Sequence, residues 1–128
     1  MFAAHRIMII MIIMMIAAVL LAIALPPEES RTYHRVTVAQ VAATQWTHVS
    51  VCGTVALVKH EADGDTHIRL EDGRAFIVAE FVPYHPLARP ALRQLIRVEG
   101  ISRDDKTHGW AEVHPVESWR QVSSCGAQ

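Results

Sequence analysis

The sequence predicts an all-β domain: a five-stranded barrel with one short helix between its third and fourth strands. Three observations lead to this prediction. From residue 47 onward apolar residues recur with a period of two, the spacing of strands that bury one face. Pro residues and Asp-Gly pairs divide this stretch into pieces of strand length. Gly53, within the longest piece, indicates the sharp coiling by which a small barrel closes.

The first three predicted strands lie before residue 83. The segment "HVSVCGTVALVKH" (48–60) is predicted to be a long first strand. The segment "THIRLE" (66–71) alternates cleanly, so Ile68 and Leu70 are expected to face the core. The segment "AFIVAEFV" (75–82) is apolar on both faces, which is typical of a central strand.

The second half of the domain supplies the helix and two more strands. The segment "HPLARPALRQL" (85–95) has helical spacing, with Pro90 near a first turn, and predicts the short helix. The segments "IRVEGISR" (96–103) and "GWAEVHPVESWRQV" (109–122) predict the last two strands. Three strands, a helix and two strands is the order of the OB fold, so an OB-fold-like domain is expected over 47–122.

Two polar segments flank this domain. Residues 26–46 begin with Pro-Pro and predict a spacer whose end, 37–46, forms either a short helix or a loose first strand, with a helical turn favoured. The turn is expected to pack Val38, Val41 and Ala42 against the barrel. Residues 123–128, "SSCGAQ", predict a flexible tail.

The first 25 residues predict a signal anchor or a signal peptide. Residues 7–25 carry no polar or charged side chain, and at 1.5 Å per residue they would span roughly 28 Å, close to a bilayer core of about 30 Å. Arg6 precedes the run, which predicts a cytoplasmic N-terminus. Ala22-Ile23-Ala24 also fits a signal-peptidase site, so the segment is either retained or cleaved. In both cases the domain is exported, either anchored to the membrane or secreted.

Charge and cysteine content restrict the partners and leave the redox state open. From Pro26 onward the chain has 11 Lys and Arg against 13 Asp and Glu residues, a formal charge of −2. This near-balance argues against strong nonspecific binding of nucleic acid, which requires many phosphates to be neutralised. Cys52 lies in an apolar strand and Cys125 in the tail. They either form a disulfide outside the cytoplasm, or Cys52 stays buried and unpaired.

The polar residues of the second, third and fifth predicted strands are expected to form one patch. OB folds usually meet ligands there, between the loops that follow strands one and four. Those loops are "HEADGD" (60–65) and "RDDKTHG" (103–109), both acidic and both containing or adjoining a histidine. The predicted ligand-binding residues are Asp63, Asp65, His67, Arg69, Glu80, His108, Trp110, Glu112 and His114.

Two interpretations of this patch remain open. In the first, imidazoles and carboxylates bind a divalent metal or transfer protons, Arg69 binds an anion, and Trp110 offers a stacking platform. The metal ligands would then be His67, His108, Glu112 and His114. In the second, the patch is a solvated barrel face with cross-strand ion pairs, and "DGD" is only a turn.

The tetrapeptide "DGDT" (63–66), after the first barrel strand, resembles the thermonuclease family. That resemblance implies calcium-dependent phosphodiester cleavage, with an aspartate of this turn binding the metal. The family's further arginine and its Asp-Thr-Pro-Glu-like stretch have no counterpart here. The corresponding region reads "FIVAEFVPYHP", in which Glu80 is the only acid.

A broader resemblance joins "DGDTHIRLEDG" (63–73) to "HGWAEVHPVESW" (108–119). Together they resemble a group of uncharacterised small bacterial exported proteins with an OB-like domain and the pattern DGDxHIxL, then HGWxExHPV. The resemblance implies an OB-like fold and carries no established activity. It also implies that one set of residues belongs together: His67, His108, Trp110, Glu112 and His114.

These observations predict an exported, membrane-tethered binding module. Nucleic acid, a small anion or a glycan are the ligands expected by analogy of fold, with no cofactor. One alternative is a metal-dependent hydrolase that uses the histidines and acids of the patch with a divalent ion. Another is a domain that binds an envelope protein through Trp110 and Trp119.

Overall fold

The computed structural model describes residues 31–126. The predicted signal segment and the start of the spacer lie outside these residues. Within the described range the chain contains six strands and one 3-10 helix, and no helix in it is long and apolar enough to cross a membrane. The elements are β1 (His34–Val36), the 3-10 helix (Val38–Ala43), β2 (His48–His60), β3 (Thr66–Asp72), β4 (Ala75–Phe81), β5 (Leu95–Asp105) and β6 (Trp110–Gln121).

Strands β2 to β6 close into a five-stranded barrel, which confirms the predicted barrel. The strand order is β1-β2-β3-β4-β6-β5, and β2 also pairs with β5 to complete the ring. The first half of β2 pairs with β5 and its second half pairs with β3, so β2 must coil strongly near its middle. A Cβ atom on Gly53 would lie 3.0 Å from the carbonyl oxygen of Glu71, which explains the glycine at this crossing.

The predicted helix over 85–95 is wrong. Pro86 and Pro90 lack an N–H group and disfavour helical geometry in the residues before them, so the segment runs as turns and extended chain. Its end is held to the barrel by backbone bonds: Arg93 N–H donates to Val55 O at 2.8 Å, and Val55 N–H donates to Gln94 O at 2.9 Å.

The helical turn predicted before the barrel is present as the 3-10 helix. Thr37 caps its start in a capping box with Gln40, which satisfies backbone N–H groups of the first turn. Val38 and Val41 are buried as predicted, whereas Ala42 is exposed. The helix therefore closes the barrel with two valines.

The barrel interior is an aliphatic core with one large aromatic side chain. Ile68 and Leu70 point inward, as their alternation predicts, and neither is exposed to solvent. They pack with Val49, Val51, Val55, Ile77, Ala79, Phe81, Ile96, Val98, Val113 and Val116. Since inward residues fill the barrel, any ligand must be met on its outer face.

Two further features hold the barrel together: a close approach of β5 to β6, and a disulfide from β2 to the segment after β6. The register between these strands shifts around Gly100, where a Cβ atom would overlap the carbonyl oxygen of Pro115 and lie 2.6 Å from Val113 Cγ1. Cys52 and Cys125 form a disulfide with a Cα–Cα distance of 5.5 Å. Arg97 also donates a hydrogen bond to Cys125 O at 2.7 Å, so the segment around Cys125 is fixed to the barrel wall.

Candidate functional site

A groove of about 780 Å³ lies on the outer face of β3, β4 and β6. The turn over 61–65 borders it on one side and the turn after β5 on the other. Eight of the nine predicted ligand-binding residues line this groove, and the ninth, Glu112, lies buried beside it. The remaining lining residues include Leu57, Lys59, Glu61, Phe76, Val78, Arg103 and Asp105.

The strand register explains how these residues meet. β3 and β4 are antiparallel and place His67 opposite Glu80. β4 and β6 are parallel, with Val78 opposite Glu112. Strands that are distant in sequence therefore bring their outward side chains to one place, as the predicted adjacency of the three strands requires.

Glu80 is the centre of the site. Its side chain is 6% exposed, and its two carboxylate oxygens face different histidines. His67 Nε2 lies 3.1 Å from Oε1, and His114 Nδ1 makes a short hydrogen bond with Oε2. Burial alone would raise the pKa of Glu80, but the hydrogen bond from His114 and the charges on His114 and His67 outweigh burial and hold the pKa below its usual value.

Glu112 is a second buried carboxyl group, with no exposed surface. Arg103 Nε forms a short ion pair with its Oε1, and Trp110 Nε1 donates to its Oε2 at 3.2 Å. Burial, followed by the negative charge of Glu80, raises the pKa of Glu112. Both oxygens of Glu112 therefore already have partners.

Within the described residues, two groups of side chains have metal-ligating atoms that all lie within 4.8 Å of one another. One is Asp65, His67 and Glu80; the other is Glu80, Glu112 and His114. Neither contains both His67 and His114, which contact different oxygens of the Glu80 carboxylate.

The four predicted metal candidates, His67, His108, Glu112 and His114, do not make up one of these groups, and His108 belongs to neither. His108 Nδ1 lies 2.5 Å from Asp105 Oδ2, and the imidazole stacks on Trp110 with a centroid distance of 4.7 Å. The hydrogen bond to Asp105 raises the pKa of His108. Local contacts within its own turn thus hold His108 away from Glu80, the ligand that both groups share.

The "DGD" motif forms a tight turn at the edge of the groove. Asp63 Oδ1 accepts a hydrogen bond from Asp65 N–H at 3.0 Å, and Gly64 has a φ of 96°, which glycine adopts without strain. Asp65 forms no ion pair with a cation among residues 31–126. Burial, followed by the charges of Asp63 and Glu80, raises the pKa of Asp65.

The three cationic side chains that line the groove are all paired with carboxylates. Lys59 lies 2.9 Å from Glu61, Arg69 Nε lies 2.8 Å from Glu71, and Arg103 pairs with Glu112. The Arg69 guanidinium also lies 3.9 Å from the ring centroid of Phe76. Arg69, predicted to bind an anion, is 42% exposed at its side chain, and within the described residues its Nε has no hydrogen-bond partner despite the nearby carboxylate.

The sequence did not identify the apolar half of the groove. Leu57 is 51% exposed and faces outward because a register shift between Val55 and Leu57 reverses the alternation of β2. Phe76 also lines the groove, beneath Arg69. The predicted platform Trp110 does line it, whereas Trp119 donates its Nε1–H to Ala88 O at 2.7 Å and packs against the core.

No protein-family model matches this sequence, and no curated protein matches it. Solved structures do resemble it. Asparaginyl-tRNA synthetase from Pyrococcus horikoshii is 18% identical with a TM-score of 0.60, over 71% of this chain and 23% of the synthetase. The telomere capping protein Ten1 from Saccharomyces pombe is 14% identical with a TM-score of 0.54, over 74% of this chain and 86% of Ten1.

A third structure, the OBody AM1L10 bound to hen egg-white lysozyme, is 14% identical with a TM-score of 0.56. That match covers 79% of this chain and all of the OBody. The chain spans about a quarter of the synthetase that it matches. Together with the strand order, these likenesses define the domain as an OB-fold-like barrel.

Proposed function

We propose that this protein is an OB-fold binding module on the extracytoplasmic side of a membrane, and that its ligand lies in the groove of β3, β4 and β6. The observation that carries the proposal is the groove itself. It lies on the face by which OB folds meet ligands, and loops border it on two sides. A small number of convergent polar groups beside exposed apolar side chains is typical of ligand-binding sites.

The charges of the groove favour a ligand that is cationic or is held through a cation. Five carboxylates line it, and each of its three cationic side chains is already paired within the protein. The five carboxylates are Glu61, Asp63, Asp65, Glu80 and Asp105. Because the lining carboxylates outnumber the lining Lys and Arg side chains by five to three, nucleic acid and small anions are disfavoured. The apolar half, with Leu57 and Phe76, suits an aliphatic part of the same ligand.

The test uses residues 31–128, which form a compact unit. The isotope-labelled fragment is titrated with a short peptide of alternating Lys and Leu and, separately, with a ten-residue oligothymidylate, while amide NMR shifts are followed. We expect the peptide to shift amides of β3, β4 and β6, and the oligonucleotide to shift none of them. Salt-sensitive binding of the oligonucleotide in the groove would contradict the proposal.

Two leucines provide a matched pair of variants for this titration. Leu57 lines the groove and is 51% exposed; Leu92 lies outside the groove lining and is 56% exposed. Leu57→Ser should weaken peptide binding several-fold, on the order of 1 kcal/mol for the apolar area lost, while Leu92→Ser should leave it unchanged. Equal effects of the two substitutions would show that the peptide binds elsewhere.

The extracytoplasmic location is supported by the apolar run over 7–25 and by the disulfide between Cys52 and Cys125. Disulfides persist in oxidising compartments and are rare in the cytosol. Alkaline phosphatase fused after residue 128 should be active in a bacterial host, because that enzyme requires export. The fusion with Ile12→Arg and Ile16→Arg, which interrupt the apolar run, should lose this activity. Equal activity of both fusions would contradict export through this segment.

A further inference from the structure

We infer that the groove binds one divalent transition-metal ion through Asp65, His67 and Glu80, and that His114 positions Glu80 for it. This inference rests on the proposed function, because the ion would be the cation through which the groove holds its ligand. The three ligating side chains come from the turn before β3, from β3 and from β4.

The chemistry of the three side chains suits a transition ion better than Ca²⁺ or Mg²⁺. One imidazole and two carboxylates form a mixed nitrogen and oxygen set, whereas Ca²⁺ and Mg²⁺ prefer oxygen ligands alone. Two ligand atoms of a tetrahedral zinc, each at 2.0–2.1 Å, lie about 3.3 Å apart. His67 Nε2 and Glu80 Oε1 are 3.1 Å apart, so this pair is close to a coordinating arrangement.

Asp65 completes the set with a small movement. Its ligating atom lies within 4.8 Å of those of His67 and Glu80, so a shift on the order of 1 Å would bring all three onto one ion. Asp65 is partly exposed, follows a glycine turn, and has no cationic partner in the described chain. It is therefore free to move to an ion.

The other group, Glu80, Glu112 and His114, is a poorer site. Glu112 is completely buried, and Arg103 and Trp110 already hold its two oxygens. An ion there would have to compete with the charge of Arg103 at close range. This difference between Asp65 and Glu112 assigns the ion to the first group.

His114 then acts on Glu80 from the far side. Its Nδ1 bonds to Oε2, which leaves Oε1 directed toward His67. Hydrogen bonds of this kind orient metal-ligating carboxylates, and their loss typically lowers metal affinity about 10- to 100-fold. Because the ion would lie at the floor of the groove, its remaining coordination positions would face the ligand.

The test is a calorimetric titration of the metal-free fragment 31–128 with Zn²⁺, Co²⁺ and, for comparison, Ca²⁺. We expect one Zn²⁺ or Co²⁺ per chain, a visible Co²⁺ absorption band, and binding of Ca²⁺ at least 100-fold weaker. Asp65→Asn and His67→Gln should each lower Zn²⁺ affinity by more than about 100-fold. His114→Gln should lower it about 10- to 100-fold with the 1:1 stoichiometry kept.

His108→Gln is the matched control, since His108 lines the same groove but belongs to neither group. Its Zn²⁺ affinity should match that of the unaltered fragment. Asp65 is at the surface, so Asp65→Asn tests the site without altering a buried group, and thermal unfolding of the metal-free form verifies that the variant is folded. No Zn²⁺ binding, two ions per chain, or a loss on Glu112→Gln as large as on His67→Gln would each overturn the inference.

The metal inference and the proposed function fail in different measurements. The Lys/Leu peptide titration is repeated on the metal-free fragment and on the Zn²⁺-loaded fragment. Groove binding without any affinity for Zn²⁺ would remove the metal site and keep the binding module. One bound Zn²⁺ at Asp65, His67 and Glu80 with no peptide binding in either form would keep the metal site and remove the peptide ligand.

Discussion

Removal of the Cys52–Cys125 disulfide is expected to lower the free energy of unfolding by about 4 kcal/mol. The bond links residues 73 apart in sequence, and the chain-entropy relation for a loop of that length gives about this value at 25 °C. The free energy of unfolding of a small domain is roughly 5–15 kcal/mol in total, so this loss would leave the barrel only marginally stable. At 4–8 °C per kcal/mol, Tm should fall by roughly 16–32 °C.

The assay is urea unfolding and thermal unfolding of the fragment 31–128, with and without a phosphine reductant. Cys125→Ala should match the reduced form, and reductant should then have no further effect on this variant. Cys125 is partly exposed, so the alanine removes little packing, whereas Cys52 is fully buried. A difference of less than about 1 kcal/mol between oxidised and reduced protein would refute the reasoning, because the closed loop would then stabilise little.

Three further predictions follow from single contacts. Gly100→Ala should lower the free energy of unfolding in urea by about 3 kcal/mol or more, because the added Cβ would overlap backbone atoms. Gly73→Ala, where the added Cβ meets open space, should lower it by only about 1 kcal/mol. Equal losses in the two variants would contradict this reasoning. Asp105→Asn should lower the pKa of His108 in an NMR titration, since the hydrogen bond between the two side chains raises that pKa. The stability that this pair contributes should be complete at pH values below the unfolded-state pKa of His108 and should be lost as pH rises through its folded-state pKa. An unchanged titration of His108 in the variant would exclude the bond. Thr37→Ala should cost about 1 kcal/mol by removing the helix cap, and a neutral result would show that the cap contributes nothing.

The strands could be predicted from sequence wherever one face is buried and the other is exposed to solvent, because apolar and polar residues then alternate. The alternation of Ile68 and Leu70 gave both the strand and its inward face, and the bounds of β2 were predicted without error. The helix predicted over 85–95 is absent because Pro86 and Pro90 disfavour helical geometry, although the spacing of Leu92 and Leu95 is helical. Gly100 gave no signal of its own, since the backbone that approaches it comes from β6, distant in sequence.

The sequence predicts which strands carry the candidate site, but it does not predict which side-chain atoms meet there. Adjacency of three strands follows from the barrel order, so the meeting of His67, Glu80 and His114 could be expected. Which atoms meet depends on side-chain rotamers: His67 contacts one carboxylate oxygen of Glu80 and His114 contacts the other. Leu57 could not be predicted as a groove residue, because a one-residue bulge reverses which side chains of β2 face out.

The burial of Glu80 is what separates this groove from an ordinary solvated strand face. Solvated faces carry exposed charges, yet Glu80 and Glu112 are both buried on the outside of the barrel. A buried carboxylate is costly unless it is paired, and Glu112 has Arg103. Glu80 has only two imidazoles, which carry charge only when protonated. A divalent ion on Oε1 would supply permanent positive charge where the imidazoles do not. Zn²⁺ should therefore raise the free energy of unfolding of the fragment, and an unchanged Tm in excess Zn²⁺ would contradict this reasoning.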